Sequence, residues 1–512
     1  MMVKKLIATG FVSGCFLIPS TVTFANNLDD CVSKSGDRQL SACNEVLKTQ
    51  TGKAKATVLF NRGKAWAYKG YGKNAIDDFT AAIVINPEHY EAFDHRGWAY
   101  FQANDYKRAM ADFETAIKLN PTYARPRNHR GVILSHTKNN DEAIKAYTKA
   151  IELKPKYVGA LINRAVAYRV KGNFNQALGD LLKANFAKPD YAPILHGIAR
   201  VYASQGKYRL AIKTFDRALK IDPLHGLSYL YRCDAYDDNG QLGYALKDCG
   251  KAIELMPEYG DAYYRRGVIE FYANMEKKAL LDFDKAVSLK TTVGRGLVYQ
   301  QRGMTQYYLK NYKAAKTDLE KALSINEKLH NAHRYYSLVL TQENKYKSAL
   351  AHLLTANKLS PTDADILIDL GNAYGDLKQY EKAIQANKDA LKISPKNADA
   401  LYNIAFFYDD LKQPKQEMKY LNLLLAAHPN HKDGLNQRAW NLYEAGKAKQ
   451  GLADAQKAMK LGPKDPEIID TLGHIYLTLG RKEEARGLFK KALSINPKLK
   501  SSLDGLKKLN AK

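Results

Sequence analysis

Small and apolar residues recur through this chain on a frame of 34 residues. Counted from Ala56, the units begin at Ala56, Tyr90, Ala124, Val158, Ala192, Gly226, Gly260, Gly296, His330, Ala364, Ala398, Lys432 and Pro466, thirteen in all. Apolar or small side chains recur at positions 4, 7, 8 and 11, and again at 20, 24, 27 and 28. Both sets have helical spacing, so each unit reads as two helices. Position 8 is small in every unit, from Gly63 and Gly97 to Gly473. Position 20 is alanine in eleven units, Glu417 and Gly451 being the exceptions; position 27 is alanine in twelve, Leu424 being the exception. Polar residues and glycine near positions 14–17, as at Gly70–Lys73 and Asn104-Asp105, predict the turn between the helices. Proline at position 32, from Pro87 and Pro121 to Pro497, predicts the end of the second helix, because it lacks an N–H and disfavours a helical residue before it.

A unit of this kind cannot bury its own apolar face, so successive copies must stack. The pattern of a small residue at 8, an aromatic at 11 (Trp66, Tyr100, Tyr168, Tyr236), alanine at 20 and 27, a large apolar residue at 24 and proline at 32 resembles the tetratricopeptide repeat (TPR) family over residues 56–499. The resemblance implies an all-α fold, an α-solenoid in which antiparallel helix pairs wind into a right-handed superhelix. It further implies that first helices line a concave groove through positions 2, 5, 9 and 12, and that the groove binds a protein or an extended peptide.

Two positions change together within the chain. Position 7 is arginine in eight units, and in seven of them position 23 is aspartate: Arg62/Asp78, Arg96/Asp112, Arg164/Asp180, Arg232/Asp248, Arg266/Asp282, Arg302/Asp318 and Arg438/Asp454. The eighth is Arg130 with Ala146, and no unit without the arginine carries the aspartate. This predicts a partly buried ion pair between the two helices of a unit; an arginine ladder for anionic ligands is the alternative, which the paired acid would neutralise.

Repeats 7 and 8 are irregular. Thr291 and Glu327 replace the proline, two residues are inserted near Gly294 and Gly296, and Glu270 and Gln306 take the aromatic position. The junction is expected to be weakly packed, either a bend dividing repeats 1–7 (56–295) from repeats 8–13 (296–499) or tolerated repeat decay. Residues 26–55 read as a degenerate helix hairpin capping the first repeat, with helices near Leu28–Lys34 and Asp37–Lys48. Residues 500–512 read as a capping helix with Leu503, Leu506 and Leu509 on one stripe.

Residues 1–25 read as an export signal: Lys4 and Lys5, an apolar run from Leu6 to Ile18, then Thr23-Phe24-Ala25 as a cleavage site. Val12-Ser13-Gly14-Cys15 offers a competing lipidation site at Cys15. No transmembrane segment is expected, since no run is long and apolar enough. In an oxidising compartment the remaining cysteines are expected to pair as Cys31 with Cys43 and Cys233 with Cys249, each pair straddling a turn signal; buried thiols are the alternative.

The net charge of +26 raises nucleic acid as a partner, but the positions assigned to the groove argue otherwise. They hold five bases (Lys64, Arg125, Arg169, Arg200, Arg334) and eleven acids, among them Asp94, Asp261, Asp365, Asp399, Asp409, Asp433, Glu467 and Asp470. The bases concentrate in repeats 1–5 and the acids in repeats 10–13. Aromatic residues Trp98, Tyr402, Phe406, Trp440 and Tyr443 accompany them, suiting a basic or amphipathic peptide. The excess positive charge then lies outside, free to meet an acidic envelope surface. No Walker loop, HExxH, GxSxG or CxxC is present, so neither catalysis nor a cofactor is expected. His95 and His129 share position 6 in adjacent units and suit a polar ladder better than a metal. The sequence thus points to an exported, non-enzymatic scaffold in a bacterial envelope, with a carbohydrate- or cell-wall-associated binding factor as the alternative.

Overall fold

In the computed structural model, residues 20–510 are described; the Lys4–Ile18 run and Cys15 lie outside them. These residues form 29 α-helices and, among the described residues, no strand. Each repeat is an antiparallel pair, as in Tyr90–Gln102 and Tyr106–Leu119 of repeat 2. The capping hairpin comprises Ser20–Ser33 and Gly36–Leu47, its first helix starting earlier than the sequence suggests, and Lys500–Asn510 closes the chain. Packing divides the protein into two compact units, Met1–Leu255 and Met256–Lys512.

The turn inside each repeat has one recurring device. Position 15 adopts a positive φ in all thirteen repeats: glycine at Gly70, Gly172, Gly206, Gly240, Gly446 and Gly480, and asparagine or lysine elsewhere, as at Asn104 (φ 62°) and Lys412 (φ 55°). The left-handed residue lets the next N–H close back on the carbonyl of position 11, as in Tyr71 to Trp66 (3.0 Å) and Asp105 to Tyr100 (2.8 Å). This satisfies carbonyls that the helix end would otherwise leave open.

Position 24 explains why position 8 is small. Phe79, Phe113, Phe283 and Phe489 are fully buried, and their rings lie on Gly63, Gly97, Gly267 and Gly473. A Cβ at Gly97 would sit 2.7 Å from the Phe113 ring, so no larger residue fits unless the ring moves. Within each unit, first helices pack closely on the next first helices at every junction but that of repeats 11 and 12, where the approach is looser, whereas second helices pack on first helices. The first helices therefore make the tighter, inner layer of each solenoid unit.

The junction between repeats 7 and 8 corrects the expectation of weak packing. Phe271 and Phe283 of repeat 7, Met304 and Leu319 of repeat 8, and Tyr335 and Val339 of repeat 9 share one buried core inside the second unit. The inserted residues are tied down: Asp261, itself buried, accepts from the Thr292 N–H (2.7 Å) and from its hydroxyl, and the Gly260 N–H meets the Lys290 carbonyl at 3.3 Å. A side chain at Gly260 would collide with that carbonyl, so the backbones approach closely there.

Candidate functional site

The Arg–Asp pairs are geometrically uniform. In all seven repeats the arginine Nε and one terminal nitrogen donate to the two oxygens of the aspartate, at 2.5–3.0 Å. Each pair is partly buried, and the acid is its deeper member. Asp78, Asp112, Asp180, Asp248, Asp282 and Asp318 are buried, 4–6% exposed; only Asp454 is half-buried. The arginines keep the partial exposure expected of the pair. The reason is geometric: position 23 sits beside the buried position-24 side chain (Phe79, Phe113, Leu181, Cys249, Phe283, Leu319 or Ala455), and the guanidinium of position 7 pairs with both oxygens of the carboxylate. Asp78, Asp112, Asp180, Asp248, Asp282, Asp318 and Asp454 thus hold the helix pair together, with both oxygens of each engaged by an arginine. The hydrogen bonds to the acids hold guanidiniums such as Arg96 above their ordinary pKa.

The sequence missed the second half of the arrangement. The other terminal nitrogen reaches position 25 of the preceding repeat: Arg96 to Thr80 (3.2 Å), Arg164 to Thr148 (2.8 Å), Arg232 to Asp216 (2.5 Å), Arg302 to Asp284 (2.7 Å) and Arg438 to Asn422 (2.9 Å). Arg62 reaches Asn44 in the capping hairpin (2.8 Å). Each of these six arginines joins two helices of its own repeat and one of its neighbour. The varied acceptors at position 25 hid this from pattern reading.

Both cysteine pairs lie at disulfide geometry, Cys31 with Cys43 and Cys233 with Cys249, each with sulfurs 2.05 Å apart. The first staples the capping hairpin; the second joins the two helices of repeat 6.

In the first unit, the residues assigned to the groove form internal networks. Asp94 is fully buried and accepts from His129 Nδ1 (2.8 Å) and pairs with Arg125 Nε (3.2 Å), while Arg125 also meets His95 Nε2 at 2.9 Å. Burial, reinforced by Arg125, pushes His95 down to about 3, so its ring is neutral and can accept that bond. Trp98 is half-buried, lies between His129 (centroids 4.6 Å) and Phe101 (5.0 Å) and packs on the Tyr100–Phe113 core. Asn163 donates to Asn128 (3.0 Å), extending the polar ladder. Arg169 reaches Ser204 (3.3 Å), and burial, with Arg200 nearby, lowers it to about 10; Arg200 lies over the Tyr231 ring at 3.8 Å.

The second unit keeps its acidic face more open. Asp470 is a correction: it is buried and holds the final helix by accepting from the hydroxyls of Ser501 and Ser502, so it is not available to a ligand. Asp365 pairs with Arg334 (3.0 Å), whose Nε binds Asp369 (2.6 Å), and Asp433 meets Lys432 at 3.1 Å. Asp399 and Glu467 are exposed, and among the described residues neither side chain is in an ion pair. Phe406 is 51% exposed, next to half-buried Tyr402, in a cavity of about 410 Å³ with Asn372, Asp376, Asn403 and Asp410. Trp440 and Tyr443 are half-buried, with rings 5.1 Å apart, and both face His474. A second cavity of about 420 Å³ lies beside repeats 11 and 12, lined by Asp409, Lys412, Gln413, Pro414, Glu417, Asn441, Glu444 and Ala445. Its buried Glu417 stands at position 20, where the sequence shows only a missing alanine.

This is the inner face of a helical-repeat protein, a class that works by presenting a surface to other proteins. The chain belongs to the tetratricopeptide repeat family: models described as Tetratricopeptide repeat or TPR repeat match residues 90–123, 124–157, 192–225, 297–329, 338–378, 364–397, 399–431 and 466–499. Among curated proteins no relative matches. Solved structures with similar folds include the APC/C hetero-tetramer Cut9–Hcn1 (15% identity, 79% of this chain and 92% of that one, TM-score 0.46). A tetratricopeptide repeat protein from Parabacteroides merdae ATCC 43184 is also similar (20% identity, 49% and 98%, TM-score 0.43). So is YrrB, a TPR protein with an unusual peptide-binding site (23% identity, 37% and 97%, TM-score 0.31). The repeats define the protein as an interaction scaffold. No described helix is long and apolar enough to cross a membrane.

Proposed function

We propose that this protein is a non-enzymatic scaffold that binds an extended, basic or amphipathic segment of a partner protein along the inner face of its second unit. One observation carries the reading: Phe406 stands half exposed in a cavity with the carboxylates of Asp376 and Asp410, which no cation among the described residues pairs with. An exposed ring amid unpaired acids suits a partner that supplies apolar side chains and positive charge together. Tyr402, Trp440 and Tyr443 extend the apolar surface, while Asp409 and Asp433 extend the acidic one.

We further propose that the protein is exported, with cleavage after Ala25, and works in a bacterial envelope. Support comes from Lys4, Lys5 and the apolar run after them, together with four cysteines in disulfide geometry, which suits an oxidising compartment. The basic remainder of the surface would then meet acidic envelope components.

The test is site-specific photo-crosslinking in living cells from Phe406 and Trp440, followed by identification of the captured segment. A basic or amphipathic protein segment supports the reading; capture of glycan strands alone, or equal capture from a position on a second helix, overturns it. Sequencing the N-terminus of the mature protein from fractionated cells checks export.

A further inference from the structure

The cavity beside repeats 11 and 12 departs from the repeat in three coupled ways. Position 20 carries Glu417 in place of alanine, and that residue is 2% exposed. Position 10 of the following repeat is Asn441; one repeat earlier that position is Phe407, whose ring packs so closely on Gly375 that an added Cβ would lie 2.5 Å away. And the first helices of repeats 11 and 12 (Ala398–Asp410 and Lys432–Glu444) lack the close contact that joins first helices at every other junction within the second unit. A charged wedge and a missing aromatic plug thus border a polar cavity between the two repeats.

The lining is one-sided in charge. Glu417 accepts a hydrogen bond from Gln437 Nε2 at 3.0 Å and, among the described residues, forms no ion pair. Burial raises its pKa; the amides of Asn441 and Gln437 oppose this, while Asp409 and Glu444, which line the same cavity, add to it. Lys412 is the one basic residue of the lining; its side chain is 82% exposed and leans toward Asp409 at 3.5 Å. The Asn441 amide nitrogen is buried without a well-aligned hydrogen-bond partner. A buried carboxylate with no cation is unfavourable for folding. It becomes favourable when a cation with several N–H groups enters, because charge-assisted hydrogen bonds strengthen in a dry site.

We propose that this cavity is the anchor pocket for a basic side chain of the bound segment, an arginine guanidinium or a lysine ammonium, with Glu417 as its principal partner and Asp409 and Glu444 at the rim. The proposal rests on the reading that a basic segment lies along this face. Arginine is expected to bind more tightly than lysine, since its guanidinium is less strongly hydrated and its fork of donors can reach separated carboxylates.

The probes are N-acetyl-arginine amide, its lysine counterpart and the neutral isostere N-acetyl-citrulline amide, titrated calorimetrically into the full chain. The expected result is saturable binding of the two cations, no binding of the citrulline probe, and a loss of about tenfold or more in Glu417→Gln, which keeps the side-chain shape. Glu417→Gln and Glu417→Ala should also raise Tm, because each removes an uncompensated buried charge; a fall in both would assign Glu417 a structural role and overturn the proposal. Equal binding of citrulline and arginine probes, undiminished binding by Glu417→Gln, or preference for calcium ions over both cations would overturn it as well. A short amphipathic arginine-containing peptide separates the two readings. If Glu417→Gln binds it normally while Phe406→Ala does not, the pocket fails and the face survives; if wild type does not bind it at all, the face fails too.

Discussion

Arg130 stands sixteen residues before Ala146, the spacing that elsewhere brings an arginine to its aspartate, and its Nε is buried without a hydrogen-bond acceptor. The contrast with Arg96, whose Nε donates to Asp112 at 2.8 Å, shows what the missing carboxylate does. Repeat 3 keeps a buried Nε–H and lacks the carboxylate that would accept from it.

Ala146→Asp is therefore expected to stabilise the protein, by about 1–3 kcal/mol, because it satisfies a buried donor and pairs a charge. Thermal or urea unfolding of the full chain reads this directly. An unchanged or lower stability would mean that desolvating the introduced carboxylate outweighs the pairing.

The reverse change has the reverse sign. Asp112→Ala leaves the part-buried Arg96 guanidinium with only its bond to Thr80 and should destabilise by about 2–4 kcal/mol. Replacing both partners, as in Arg96→Leu with Asp112→Ala, should cost less than the single change, since no charge is then left stranded. Denaturant midpoints of the single and double variants decide it.

Two histidines make the first unit acid-sensitive. Burial, with Arg125 adjacent, sets His95 at about 3; burial, with Arg200, His225 and Arg169 adjacent, sets His196 at about 3. Both lie below the unfolded value of 6.5, so the folded state holds the neutral ring. Their contribution is complete above pH 6.5 and is lost as pH falls toward 3, at a slope on the order of 1 kcal/mol per pH unit for each. His95→Asn and His196→Asn should flatten the decline of Tm between pH 6.5 and 4.5 relative to wild type, a range in which many carboxylates titrate equally in all three proteins.

Intact mass of the oxidised protein should show two intrachain bonds, and peptide mapping should pair Cys31 with Cys43 and Cys233 with Cys249. Reduction should lower stability by about 2–4 kcal/mol for the pair inside repeat 6, since it frees a loop in the unfolded chain. Four alkylatable thiols in protein recovered from an oxidising compartment would contradict this.

Periodicity made most of the fold legible. Helix pairs, turns and the small-8 position follow from spacings within one unit, and the Arg–Asp contact could be read because both partners sit in the same repeat and vary together. How deeply the acids sink was not legible: Asp78, Asp180, Asp248, Asp282 and Asp318 are buried, while Asp454 at the same position is half-buried. The position-25 partners were not legible either, since threonine, asparagine and aspartate serve alike there. The candidate site was legible only in outline. Position numbers grouped Asp94, Asp261 and Asp470 with Asp399 and Glu467, yet the first three are buried behind His129, Thr292 and Ser502, while the last two face water.

From the sequence alone came the repeating unit, its register and the internal ion pair, because these depend on residues close in the chain and repeated many times. The tertiary structure decided which carboxylates remain open, which ring stands exposed, and that Glu417 wedges a cavity between two repeats. Those outcomes depend on what the neighbouring repeat places against each side chain, and that packing does not repeat.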